Sequence, residues 1–195
     1  MDADLPADLA AIEARLDASD REARTLIAEL DDDRFNWRPA ERSWSVAQCL
    51  DHLNVANRVY LEPLRTALER ARQRNAARRG PVRPGILERW FVASLEPPPR
   101  RRLPRPRKIT PAERKSRAEV GEEWERIQAE IRELLRAAAP WDLNATRFVN
   151  PFIPLLRFSV GTGFLVIDAH DRRHVWQAQQ VRANPRFGQP PATSS

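Results

Sequence analysis

The chain has 195 residues, with 33 Lys and Arg against 27 Asp and Glu, a net charge of +6 and a single cysteine. That length suits one domain able to bury roughly 70% of its unfolded surface without a covalent staple, and the lone Cys49 excludes an intrachain disulfide and a cysteine-based zinc cluster. The opening MDADLPADLA lacks the basic and apolar regions of a secretory signal, and no run approaches roughly 18 apolar residues, so a soluble cytoplasmic protein is expected.

Four helical segments are predicted. The first, about residues 8 to 30, sets Leu9, Ile12, Leu16, Ile27 and Leu30 at broadly helical spacing around an alanine-rich middle. The second lies in RSWSVAQCLDHLNVANRVYLEPLRTALERAR, where Ser45 can cap, Gln48 can reciprocate and Trp44 can staple onto Cys49. Val46, Leu50, Leu53, Leu64 and Leu68 form its apolar stripe. Pro63 should kink or interrupt it, with the helix resuming as far as Arg78.

PGILERWFVASLE, residues 84 to 96, reads as a short connecting helix, and PPPRRRLPRPRK, residues 97 to 108, as an irregular basic crossover. Such a cluster could touch phosphate, but no aromatic residue interleaves with it and no nucleic-acid module accompanies it; a solvated loop is expected. A third helix is predicted from Thr110, with Pro111 in its first turn and Glu113 completing a capping box. It buries Trp124, Ile127, Ile131, Leu134 and Leu135 and stops at Pro140. After an irregular, aromatic-rich linker the fourth helix runs from about Val160 to Val181. With no alternating strand pattern, repeat or glycine-rich phosphate loop, the expected fold class is all-α, a four-helix bundle with long crossover connections.

Two of the three histidines, His170 and His174, stand one turn apart on the fourth helix. At about 100° per residue they share a sector with Gly163, Ile167, Gln177 and Val181, opposite Arg172. Inward imidazoles need partners for their ring nitrogens, and a divalent cation satisfies one lone pair from each ring. Packed core and an accidental pair are the alternatives. A third ligand has to come from another segment, and His52, the remaining histidine, projects off the second helix's stripe toward the side of Cys49, Ala56 and Val59.

Three neutral histidines without cysteine suit Zn, Ni or Fe, and three protein ligands leave a position for water or substrate. None of the three has Glu three positions before it, which disfavours a di-iron bundle. Asp51 and Asp171 lie off the histidine face, so no carboxylate base stands out. Gln48 and Gln177 either orient a ligand or satisfy buried backbone; Asn54 and Asn57 read as helix surface. Cys49 reads as a small buried hydrophobe rather than a nucleophile, and Tyr60 and the tryptophans as packing or pocket wall.

FNWRPAERSWSVAQCLDHLNVANRVYL, residues 35 to 61, and NPFIPLLRFSVGTGFLVIDAHDRRHVWQAQQV, residues 150 to 181, together resemble the two characteristic segments of the DinB-like (DinB/YfiT-like) superfamily of metalloenzymes. The resemblance covers nearly the whole chain and implies a single domain over 1–195, with a core of about 8–183, a crossover of about 97–109 and a flexible tail of about 184–195. It implies one divalent metal ion, Zn or Ni first and Fe allowed, held by His52, His170 and His174 at one end of an interhelical cleft, and a homodimer. It also implies either an enzyme that activates water or a low-molecular-weight thiol toward an unknown small molecule, as a thiol transferase or hydrolase does, or a non-catalytic metal-binding or stress-response module. Neither a membrane nor a nucleic-acid partner is expected.

Overall fold

The periodic apolar stripes become long helices. The computed structural model describes residues 4–98 and 109–189. Among them are α1 (Ala7–Glu29), α2 (Asp32–Phe35), α3 (Val46–Gln73), α4 (Ile86–Leu95), α5 (Arg117–Ala138), β1 (Arg147–Val149), β2 (Arg157–Ser159) and α6 (Val160–Arg182). The fold is all-α with long crossovers, but it has six helices among the described residues rather than four. Most of the basic stretch expected as the crossover lies outside the described residues. No helix among the described residues is long and apolar enough to cross a membrane.

The four long helices form a ring. Both α1 and α3 pack along α5 and α6, so α1 faces α3 across one diagonal and α5 faces α6 across the other, while α4 lies against α6. The core is divided along its length. One apolar cluster gathers Leu9, Leu16, Leu64, Ile131 and Phe164, and the other gathers Leu26, Leu50, Leu53, Trp124 and Val175.

Between the clusters lies a polar layer. Asn57 Nδ2 on α3 and Gln128 Nε2 on α5 each donate 2.8 Å to the Asp171 carboxylate on α6. Burial pushes that carboxyl up to about 7, against the two amides, which favour its charge. Asn54, 0% exposed, donates to the Val120 carbonyl at 3.0 Å. Asn54 and Asn57 are therefore core residues, contrary to their reading as surface, because the second helix is enclosed on more sides than its leucine stripe indicates.

Element boundaries differ from the sequence reading where tertiary contacts override local preference. The capping box at Ser45 and Gln48 forms as expected, with reciprocal bonds of 3.1 and 3.2 Å. Pro63 does not interrupt α3, since burial of Leu64, Ala67, Leu68 and Ala71 beyond it offsets the one backbone bond proline removes. The helix ends at Gln73, just before Asn75 takes a left-handed φ of 49°.

The start of α5 is a correction. Thr110, Pro111 and Glu113 do not open it; Ser116 caps it and Glu119 completes the box. The intervening strap is held across α3 instead, with Ala112 N donating to Asp51 Oδ2 at 2.8 Å and Lys115 Nζ to Asp51 Oδ1 at 2.7 Å.

The linker expected to be irregular contains an antiparallel hairpin in which buried Phe148 pairs with buried Phe158. Three-residue strands are too short for alternation to be read. Asn150 Oδ1 shapes its loop by accepting from Phe152 N and Ile153 N at 2.8 and 3.1 Å. In the segment expected as a tail, Phe187 meets Trp37 edge-on at 5.4 Å, and Trp37 Nε1 donates to Gln189 O.

On α6, Gly163 packs tightly against α3 and the hairpin, since a Cβ there would lie 2.5 Å from Leu64 Cδ2 and 2.9 Å from Phe148 Cε1. Gly163→Ala is therefore expected to destabilise the protein by about 1–3 kcal/mol through overpacking. Urea denaturation checks it: the midpoint should fall with little change in slope, and a wild-type midpoint would contradict this close approach.

Candidate metal centre

The antiparallel contact of α3 with α6 that sets Leu64 beside Gly163 brings His52 opposite His170 and His174 at the level of the polar layer. One ligand-capable atom from each imidazole falls within 4.8 Å of the others. Ring centroids are 5.1 Å apart for His52 and His170, 4.5 Å for His52 and His174, and 4.7 Å for His170 and His174. His52 and His174 are buried and His170 half-buried.

Hydrogen bonding fixes two of the three tautomers. His52 Nδ1 lies 2.7 Å from the Ile109 carbonyl, which can only accept, so the proton sits on Nδ1 and Nε2 carries the lone pair. His174 Nδ1 donates in the same way to Gln177 Oε1 at 3.0 Å. His52 Nε2 then faces His170 Nε2 at 3.3 Å. Without a cation, His170 must donate to His52 there; with one, all three rings can turn lone pairs to a common point.

The residues fit a divalent ion. Nitrogens at 2.0–2.1 Å from a tetrahedral centre stand about 3.3 Å from one another, and the His52–His170 separation is that edge. Acceptors behind Nδ1 are the outer contacts that orient ligating imidazoles and raise their basicity. Burial first, then the neighbouring imidazoles and Arg173, hold His170 and His174 well below the ordinary histidine value, which keeps their lone pairs available. Of the two readings of Gln177, the orienting one is met by its bond to His174.

Gln48 and Asp51 act at one remove. Asp51 grips Ala112 and Lys115, and Gln48 Nε2 donates to the Ala112 carbonyl at 3.5 Å, so both hold the strap that delivers the Ile109 carbonyl to His52. That carbonyl carries no side-chain signature and could not be read from sequence. Trp44, half-buried, lies 4.8 Å from the His52 ring and 5.6 Å from the His174 ring, forming a wall of the site.

A cavity of about 1100 Å³ opens from the histidines along the α3/α6 groove. Arg42, Ser43, Trp44 and Gln177 surround one end, and Tyr60, Phe91, Phe152, Leu156 and Val166 the other. No Asp or Glu lines it among the described residues, in keeping with the absence of a carboxylate base from the sequence reading. Cys49 is buried and does not line the cavity. Tyr60 is buried, and its hydroxyl accepts from Asn150 Nδ2 at 3.5 Å.

Residues 15–178 match the family model described as DinB superfamily, a span that includes all three histidines. No curated protein and no solved structure matches the chain.

The depressed pKa values of His170 and His174 fix the sign of a pH effect on the metal-free protein. Unfolded histidines titrate near about 6.5, so below that pH the unfolded chain takes up protons that the folded one refuses. Stability is thus full above that range and falls as pH drops through it. Urea midpoints at pH 7.5 and 5.5 are expected to show the loss, and to show less of it when both residues are replaced by Gln; equal midpoints in the unsubstituted protein would contradict neutral, buried imidazoles.

Proposed function

Because the chain belongs to the DinB superfamily, we propose that it is a metal-dependent enzyme in which His52, His170 and His174 hold one divalent cation, Zn or Ni first and Fe allowed. The observation that carries this reading is the convergence of three imidazoles, two of them fixed by acceptors at Nδ1 so that Nε2 carries the lone pair. On this reading the four long helices form a DinB/YfiT-type bundle in a single domain over 1–195. A homodimer in the cytoplasm is part of the same reading, and the lone buried cysteine suits a reducing compartment.

A divalent cation bound there supplies Lewis acidity, which makes a bound water or thiol easier to deprotonate. The chain's own residues do the rest. Ile109 O and Gln177 Oε1 keep two imidazoles in the ligating tautomer, and Trp44 shields His52 and His174 on one side. Among the described residues no carboxylate lines the cavity to accept a proton from water. This favours a low-molecular-weight thiol as the activated group, since a thiol starts with a pKa near 8.5 and asks less of a base. A thiol transferase is therefore preferred to a hydrolase.

Metal analysis of the natively purified protein beside His170→Ala tests the site. About one ion per chain, lost in the variant, is the expected outcome for a three-histidine centre. No metal even after controlled reconstitution would overturn it and leave a non-catalytic module of the same fold. Gln177→Leu is expected to weaken metal binding about 10–100-fold while leaving stoichiometry intact, as measured by competition with a chromophoric chelator.

A further inference from the structure

The cavity changes chemistry along its length. On α3, His52, Ala56 and Tyr60 line it at successive turns, so its histidine and tyrosine levels are about 12 Å apart at 1.5 Å per residue. Beyond the histidines the walls are apolar: Ile167 and Val166 on α6, Phe91 on α4, and Phe152 and Leu156 in the hairpin loop. Phe152 also lies 5.8 Å from the Tyr60 ring.

The histidine end is electropositive. Arg42 is exposed there and forms no ion pair or side-chain hydrogen bond among the described residues. Arg173 adds a second guanidinium, largely buried, whose Nη1 donates to the Ser94 carbonyl at 3.1 Å. Its charge contributes to lowering both His170 and His174. No Asp or Glu lines the cavity among the described residues, and three neutral imidazoles would bring no negative charge to offset a bound divalent ion. A partly open cleft with positive charge at one end and aromatic and aliphatic walls at the other is complementary to a ligand with both features.

We propose that the substrate bound in this cavity is an amphipathic anion, with one negatively charged head at the histidine end and an extended apolar body along Ile167, Phe91, Phe152 and Leu156. The inference rests on the metal-centre reading for part of the positive charge at the head, while Arg42 and Arg173 supply the rest.

The test is calorimetric titration of the full chain, reconstituted with Zn, using octanoate, 1-octanol and acetate, with metal content measured on the same sample. Octanoate should bind once per chain and at least about tenfold tighter than either other probe, the difference that about 1.4 kcal/mol represents. Arg42→Gln should weaken octanoate up to about fivefold, as for an exposed charge pair, and leave 1-octanol unchanged. Leu156→Trp, placed in the hairpin loop rather than the bundle, should weaken octanoate and 1-octanol alike by narrowing the apolar end.

Equal affinity for octanoate and 1-octanol would overturn the charged head, and equal affinity for octanoate and acetate the apolar body. Failure of octanoate to bind a sample holding one Zn per chain would overturn the whole inference. A sample that takes up no Zn defeats the metal-centre reading alone; the octanoate preference over 1-octanol in that sample, carried by the two arginines, still decides the substrate class.

Discussion

The Asp171 carboxylate, 0% exposed and held between amides from α3 and α5, sets the register of three helices at once. A buried carboxylate is costly unless its oxygens are satisfied, and losing either partner would leave a polar group stranded at about 1–3 kcal/mol. Helix sliding is therefore penalised far more than it would be between aliphatic faces, which can exchange one contact for another. The constraint sits between two apolar clusters, and the three-histidine site lies at the same level. His170 is the residue before Asp171, about 100° round the helix, so fixing one side chain toward the core fixes the other toward the cavity.

A second layer of control comes from outside the bundle. The strap before α5 is tied to α3 by Asp51 and Gln48, close to the capping box that starts the helix. Those bonds deliver a backbone carbonyl to His52 that no side chain in the cavity replaces. The site thus depends on covalently distant pieces: a capped helix, a strap about 60 residues further on, and two turns of α6 carrying both remaining imidazoles and their glutamine. Such a centre can hold its donors in place before any ligand arrives, which lowers the reorganisation needed on binding.

Charge and shape then narrow the chemistry. Three neutral imidazoles bring no negative charge to the site, and among the described residues the cavity walls add arginine but no carboxylate. The same absence that argues against a built-in base for water favours a nucleophile that ionises more readily and a substrate that carries its own negative charge. Both conclusions draw on one feature, the engagement of acidic side chains in structural contacts away from the cavity, such as Asp171 with its amides, Asp51 with Lys115, and Asp168 with Arg15.

Sequence by itself determined the long helices, the capping box at Ser45, the inward face of His170 and His174, and the presence of a third histidine on another helix, because periodicity and capping are local. The paired segments also carried the family. The start of α5 was misplaced because TPAE and SRAE both satisfy a local capping pattern, and only the pull of Asp51 on the strap selects the second. Asn54 and Asn57 read as surface because amphipathicity registers one buried face, whereas α3 is enclosed on several. Only the tertiary structure decided which carbonyl orients His52, where Asp171 points, that the hairpin loop lines the far end of the cavity, and that no acid lines it among the described residues. Each of these depends on distances between residues far apart in the chain, and a pattern of spacings along one strand of sequence carries no information about them.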